Sequence, residues 1–254
     1  MLMHLRRYLL LLLLTGLAAA LIAACAVNPV SGGRELALLS EADELRLGQE
    51  NDTVVRKQYG VYANARLQEY VQQVGERLAA KSHRPQLKYR FTVLDSPDVN
   101  AFALPGGYIY ITRGIMAHLN SEAELAAVLG HEIGHVTARH AVRQYSAAVA
   151  ANVGFTLGSI LVPELGSRAG QSLLNTLGGA LLSGYGREHE LEADRLGAEY
   201  IARSDYDPKA IIDVIALLKN QEVFEKALAA KEGRVPRVYH GVFASHPSAD
   251  ERLQ

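Results

Sequence analysis

Between residues 64 and 81 the chain reads NARLQEYVQQVGERLAAK, and Leu67, Tyr70, Val71, Val74 and Leu78 recur at helical spacing. A single apolar stripe of this kind predicts an amphipathic helix laid on a core. Upstream, Ser40 and Asp43 read as N-cap and capping-box partner of a helix expected to reach about Asn51. In LKYRFTVLD (87–95) the period changes to alternation, which predicts a strand. VNAFALPGGYIYITRGIM (99–116) then predicts a short extended piece, a Pro-Gly-Gly turn and a strand over Tyr108–Thr112. From Ser121, with Glu124 as its capping-box partner, SEAELAAVLGHEIGHVTARHAVRQY predicts one long helix. Residues 146–185 are Gly/Ala/Leu-rich, almost uncharged and broken at VPELG, which predicts a helical hairpin capping the body. GREHELEADRLGAEYIARS (186–204) predicts a further helix. DPKAIIDVIALLKNQEVFEKALAAK (207–231) predicts another, with Asp207 as N-cap and Pro208 at its first position. The tail, HGVFASHPSADERLQ, begins as a loop and enters a helix near Ser248.

The N-terminus departs from this globular pattern. Arg6 and Arg7 precede an apolar run from Tyr8 to Ala24, the layout of an export signal, so residues 1–24 are left out of the fold. That run ends in LIAAC, and Cys25 is the only cysteine in the chain. The stretch resembles the lipobox of bacterial lipoproteins, which implies that Cys25 is lipidated and becomes the mature N-terminus. Several acyl chains on one residue would hold the protein firmly to a bilayer. The same resemblance implies a place in the bacterial cell envelope. Ala26, where inner-membrane lipoproteins carry an aspartate, favours the outer membrane, facing the periplasm. Residues 25–39, with their Pro, Gly and Ser, are expected to be a tether, and 40–254 the folded domain.

Composition narrows the picture a little. Hydrophobic residues at 49% and charged residues at 21% are ordinary for a globular domain. The formal net charge of −1 gives no reason to expect nucleic acid as a partner.

The candidate chemistry lies in LGHEIGHVTARH (129–140). His131 and His135 fall one turn apart on one face of the predicted helix, so both ring nitrogens can reach one zinc ion. Glu132 follows the first histidine and can serve as general base toward a water activated there. A third protein ligand is still required. Extension to HExxHxxGxxH fails, because Ala138 and Ala141 occupy the positions of its glycine and last histidine. Further on, EHELEADRLG offers Glu188, Glu190, Glu192 and Asp194. Carboxylates four apart share a helical face, and spacing alone does not choose between Glu188 with Glu192 and Glu190 with Asp194.

HEIGH, the later ELEAD, the preceding NAFALPGGYIYIT and the following SHPSADER together resemble a family of zinc endopeptidases. It contains the CAAX prenyl proteases, the HtpX-type heat-shock proteases and the BepA-type envelope quality-control proteases. The resemblance implies a mainly helical α+β, zincin-like fold with a small sheet beside the HExxH helix, and one Zn2+ per chain. It implies Glu190 as third ligand, with Asp194 orienting a ligating histidine through its free ring N–H. It also brings His246 and Arg252 toward the site, the first near the metal and the second stabilising developing oxyanion charge. The segment around PGGYIYIT is expected to offer an exposed strand edge for an extended peptide, with Asn100, Ala101, Phe102, Gly107, Tyr108, Ile109 and Tyr110 binding substrate. Only unfolded chain can present itself that way. The function expected is hydrolysis of peptide bonds in unfolded or misfolded envelope proteins. The alternative is a chaperone-like outer-membrane assembly factor with a latent protease site.

Overall fold

Ser40 caps helix α1 (Glu41–Tyr59): its hydroxyl accepts the Asp43 N–H, and the Asp43 carboxylate accepts the Ser40 N–H. The helix runs past Asn51, its expected end, to Tyr59. Asp52 and Arg56 pair one turn apart at 2.8 Å, and Val55 and Tyr59 pack on Leu94, Tyr108 and Tyr110. Tertiary packing outweighs the weak local propensity. The computed structural model describes residues 25–161 and 185–235. The expected export signal, most of the expected hairpin cap and the tail carrying His246 and Arg252 lie outside the described residues.

Residues 25–36, expected as a tether, form a two-stranded hairpin of β1 (Cys25–Val27) and β2 (Arg34–Leu36). The Asn28 side chain explains the turn, accepting the Val30 and Ser31 N–H groups at 2.7 and 3.1 Å. Helix α2 (Ala65–Ala79) is capped by Asn64 and buries Val71, Val74 and Leu78. Tyr70, on the same predicted stripe, stays 37% exposed and donates its phenol proton to Glu122.

The three-stranded sheet is built from β3 (Arg90–Leu94), β4 (Ala101–Leu104) and β5 (Tyr108–Thr112), in the order β3-β5-β4. Strand β5 is parallel to β3 and antiparallel to β4, so it sits in the middle. Gly106 and Gly107, at φ +79° and +86°, make the β4–β5 turn in the left-handed region that glycine alone enters freely. The outer edge of β3 is sealed by α2. Gln68 accepts the Val93 N–H and donates to the Val93 carbonyl, and Gln72 accepts the Phe91 N–H. The outer side of β4 carries no paired strand among the described residues.

After a short α3 (Arg113–Met116) comes α4 (Glu122–Thr137), in which every residue from Leu125 to Thr137 is buried. A helix buried on all sides belongs at the centre of a fold, and α4 is packed by α2, β4, α6 (Arg187–Ala202) and α7 (Ala210–Glu232). Ser121 caps it by accepting the Glu124 N–H, but the Glu124 carboxylate reaches back to the Asn120 N–H, leaving the expected box incomplete. The single long helix expected from 121 to 145 is two. Helix α4 stops at Thr137, Arg139 takes φ 55°, and α5 (His140–Leu161) starts anew. The cause is tertiary. Arg139 is buried against Glu44 (Nε–Oε1 2.7 Å) and donates to the Leu39 carbonyl, contacts a continuing helix would not reach. Among the described residues no helix is long and apolar enough to cross a membrane.

Candidate metal centre

Small residues set how closely α4 and α6 approach. A Cβ on Gly134 would lie 2.9 Å from the Ala193 carbonyl oxygen, and one on Gly197 would lie 2.9 Å from the His131 backbone nitrogen. Any larger side chain at either place would push the helices apart. With both positions bare, the first turns of α6 carry Glu190 and Asp194 directly onto the HExxH face.

There three side chains converge. His131 Nε2 and His135 Nε2 are 3.0 Å apart, with Glu190 Oε1 3.3 Å from His135 Nε2 and Glu190 Oε2 3.5 Å from His131 Nε2. All three residues are buried. Metal–ligand bonds of about 2.0–2.1 Å in a tetrahedral site give ligand–ligand edges of about 3.3–3.4 Å. The observed spacings match that edge, so the residues fit a divalent cation. Asp194 Oδ1 lies 2.8 Å from His131 Nδ1, which places the proton of the neutral imidazole on Nδ1 and leaves Nε2 as a lone pair. Burial, opposed by the Glu190 carboxylate, holds His135 well below the usual histidine pKa, favouring the neutral form a ligand requires.

The chain belongs to peptidase family M48. The family model matches residues 65–254. The chain is 33% identical over 255 residues to the beta-barrel assembly-enhancing protease of Yersinia pestis, covering 95% of this chain and 50% of that protein. It is 29% identical to the protein of that name in Escherichia coli K12, over 85% of this chain and 43% of the relative. The mitochondrial metalloendopeptidase OMA1 of Schizosaccharomyces pombe is 32% identical over 89% of this chain and 64% of its own length. The chain thus spans about half the length of the bacterial relatives it matches. Membership of M48 implies a divalent metal, and His131, His135 and Glu190 are the group that could hold one among the described residues.

Glu132, nearly fully buried, lines a crevice beside the centre with His131, Ala101, Val128, Val214 and Leu218. The crevice is apolar apart from the site's own residues. The other acids that spacing left open fall elsewhere: Glu188 is exposed, and Glu192 accepts from Arg143 Nη1 at 2.8 Å and pairs with His140 Nε2 at 3.1 Å.

The expected substrate edge needs correction. Gly107 lies in the turn, and Tyr108, Ile109 and Tyr110 form the central strand, hydrogen-bonded on both sides and buried, so none offers a free edge. Asn100, Ala101 and Phe102 do lie at or on the edge strand β4, beside α4. Asn100 and Thr112 form a hydrogen-bonded pair, so by antiparallel alternation the Ala101 and Ala103 backbone groups face away from β5. Phe102 stacks on Tyr110 at 4.9 Å. Cys25 is the first residue of β1.

Three residues that the pattern of the sequence did not single out complete the site. His140 is fully buried with Nδ1 2.8 Å from His135 Nδ1. Burial pushes its pKa down, and that of His189, stacked on it at 4.4 Å, to about 4. The hydrogen bond from His140, aided by Arg143, holds Glu192 at about 2. Tyr185 stacks on the His135 ring at 4.2 Å. The adjacent RH was the visible trace of His140. Tyr185 left none beyond being an aromatic between two glycines.

Proposed function

We propose that this chain is a zinc-dependent endopeptidase of the bacterial envelope, acting on unfolded or misfolded polypeptides. The observation that carries the reading is the buried convergence of His131, His135 and Glu190 at ligand spacing, with Glu132 beside them. A divalent ion bound there would acidify a water and polarise the scissile carbonyl. Glu132 takes the proton of the attacking water as its oxygen bonds to the carbonyl carbon. It then delivers that proton to the amide nitrogen as the C–N bond breaks, releasing carboxylate and amine. Asp194 keeps His131 oriented by accepting its Nδ1 proton. The outward backbone of Ala101 and Ala103 would pair with an extended peptide, which favours unfolded chain over folded. His246 and Arg252 lie outside the described residues; the family resemblance would give the arginine the task of stabilising oxyanion charge.

Lipidation of Cys25 after removal of residues 1–24 would tether the protease to the outer membrane facing the periplasm. The names of the bacterial relatives support both an envelope setting and a second reading, in which the chain promotes outer-membrane protein assembly with its site latent. Glu132→Gln separates the two. It should retain about one zinc per chain while losing at least about a thousandfold in cleavage of an unfolded test protein. Undiminished cleavage would remove Glu132 from the mechanism. Assembly activity that survives in this variant would favour the second reading.

A further inference from the structure

The two histidines of the HExxH pair are supported unequally. His131 meets a carboxylate directly, whereas His135 Nδ1 meets another imidazole. His135 Nδ1 and His140 Nδ1 are 2.8 Å apart, so one proton lies between them. With His135 Nε2 directed at His131 Nε2 and Glu190, that proton belongs to His135, and His140 Nδ1 accepts it. The His140 proton must then stand on Nε2, where it is donated to Glu192 at 3.1 Å. Arg143 Nη1 donates to the same Glu192 oxygen at 2.8 Å, and its Nε lies 3.4 Å from Glu35 on the β1–β2 hairpin. The contacts along this line are consistent with two neutral imidazoles and one ionised carboxylate.

We propose that His140, backed by Glu192, is the positioning residue for His135, fixing the tautomer and ring orientation that leave Nε2 free for the ion. The role is that of Asp194 toward His131, transmitted through one additional ring. The break after Thr137 makes it possible: on a continuous helix a residue five positions after His135 would leave its face by more than a quarter-turn. The buried Arg139–Glu44 pair turns the chain back so that the His140 ring meets that of His135. The proposal rests on the metal centre assigned above.

The test is zinc affinity of the full chain, by competition with a chromophoric chelator, together with the visible spectrum of the Co2+-loaded protein. His140→Leu removes both links and should weaken zinc binding about tenfold to a hundredfold. His140→Asn puts an amide oxygen near the place of Nδ1 but cannot reach Glu192, so it should fall between the variant and the wild type and carries the test if the leucine variant does not fold. Both should shift the Co2+ bands, which a purely packing role would leave in place. Wild-type zinc affinity and an unchanged Co2+ spectrum in both variants would overturn the positioning role alone. A wild-type chain that takes up no zinc would overturn the metal centre and the positioning role with it.

Discussion

His131 and His135 stand on one face of one helix, yet the fold secures them by different means. His131, at the rim of the crevice, is reached by Asp194 from α6, one turn beyond Glu190. His135 is fully buried, and no carboxylate of α6 approaches its Nδ1 directly; Glu192 stops one ring short, and His140 spans the gap. Local sequence spacing supplies the first support. The second depends on tertiary structure, because the helix breaks at Arg139, held by its buried ion pair with Glu44, before His140 is delivered. One half of the centre is therefore robust to changes in distant packing, and the other is exposed to them.

Removing the group that both histidines face abolishes the comparison altogether. Glu190→Gln should take bound metal from one ion per chain to none and eliminate cleavage, read by elemental analysis and degradation of an unfolded protein. Glu44→Gln attacks only the His135 side. It leaves Arg84 and Arg139 buried against a neutral amide, where each now has a carboxylate at 3.0 Å or less. Loss of one partner from such a buried cluster costs about 3–5 kcal/mol. The unfolding midpoint should fall accordingly, and metal affinity with it, though Glu44 touches no ligand. Asp194→Asn probes the other side and should weaken zinc binding about tenfold to a hundredfold with little change in the stability of the metal-free protein. An equal loss of stability in both variants would erase the distinction between local and distant support.

The smallest expected effect is on acid stability. Burial keeps His189 neutral in the folded protein down to about 4, against 6.5 for the free side chain. The unfolded chain therefore takes up its proton first. Stability is complete above pH 6.5 and declines as pH falls from there toward 4. His140 shifts in the same direction and adds to the decline. In chelator, the urea midpoint should drop between pH 7 and pH 5, and His189→Gln should flatten that slope.

Much of this was legible in the chain. The stripe Val71, Val74, Leu78 lies in the core, β5 spans the residues its alternation marked, and α6 carries the acids that the HExxH face receives. What escaped has two physical origins. Strand order is set by a crossover, and alternation alone could not reveal that β5 runs between β3 and β4. The break at 138–139 contains neither Gly nor Pro; it is imposed by Glu44, about ninety residues upstream, a distance over which local propensity carries no information. The role of His140 was hidden by the same break.

The metal assignment can be seen most plainly by anomalous diffraction at the zinc edge from crystals of the zinc-loaded chain. One strong peak per chain should stand between His131 Nε2, His135 Nε2 and the Glu190 carboxylate. An absent peak, or one bound by other side chains with this pocket of nitrogens and oxygens left bare, would dismantle the hydrolytic centre proposed for this fold.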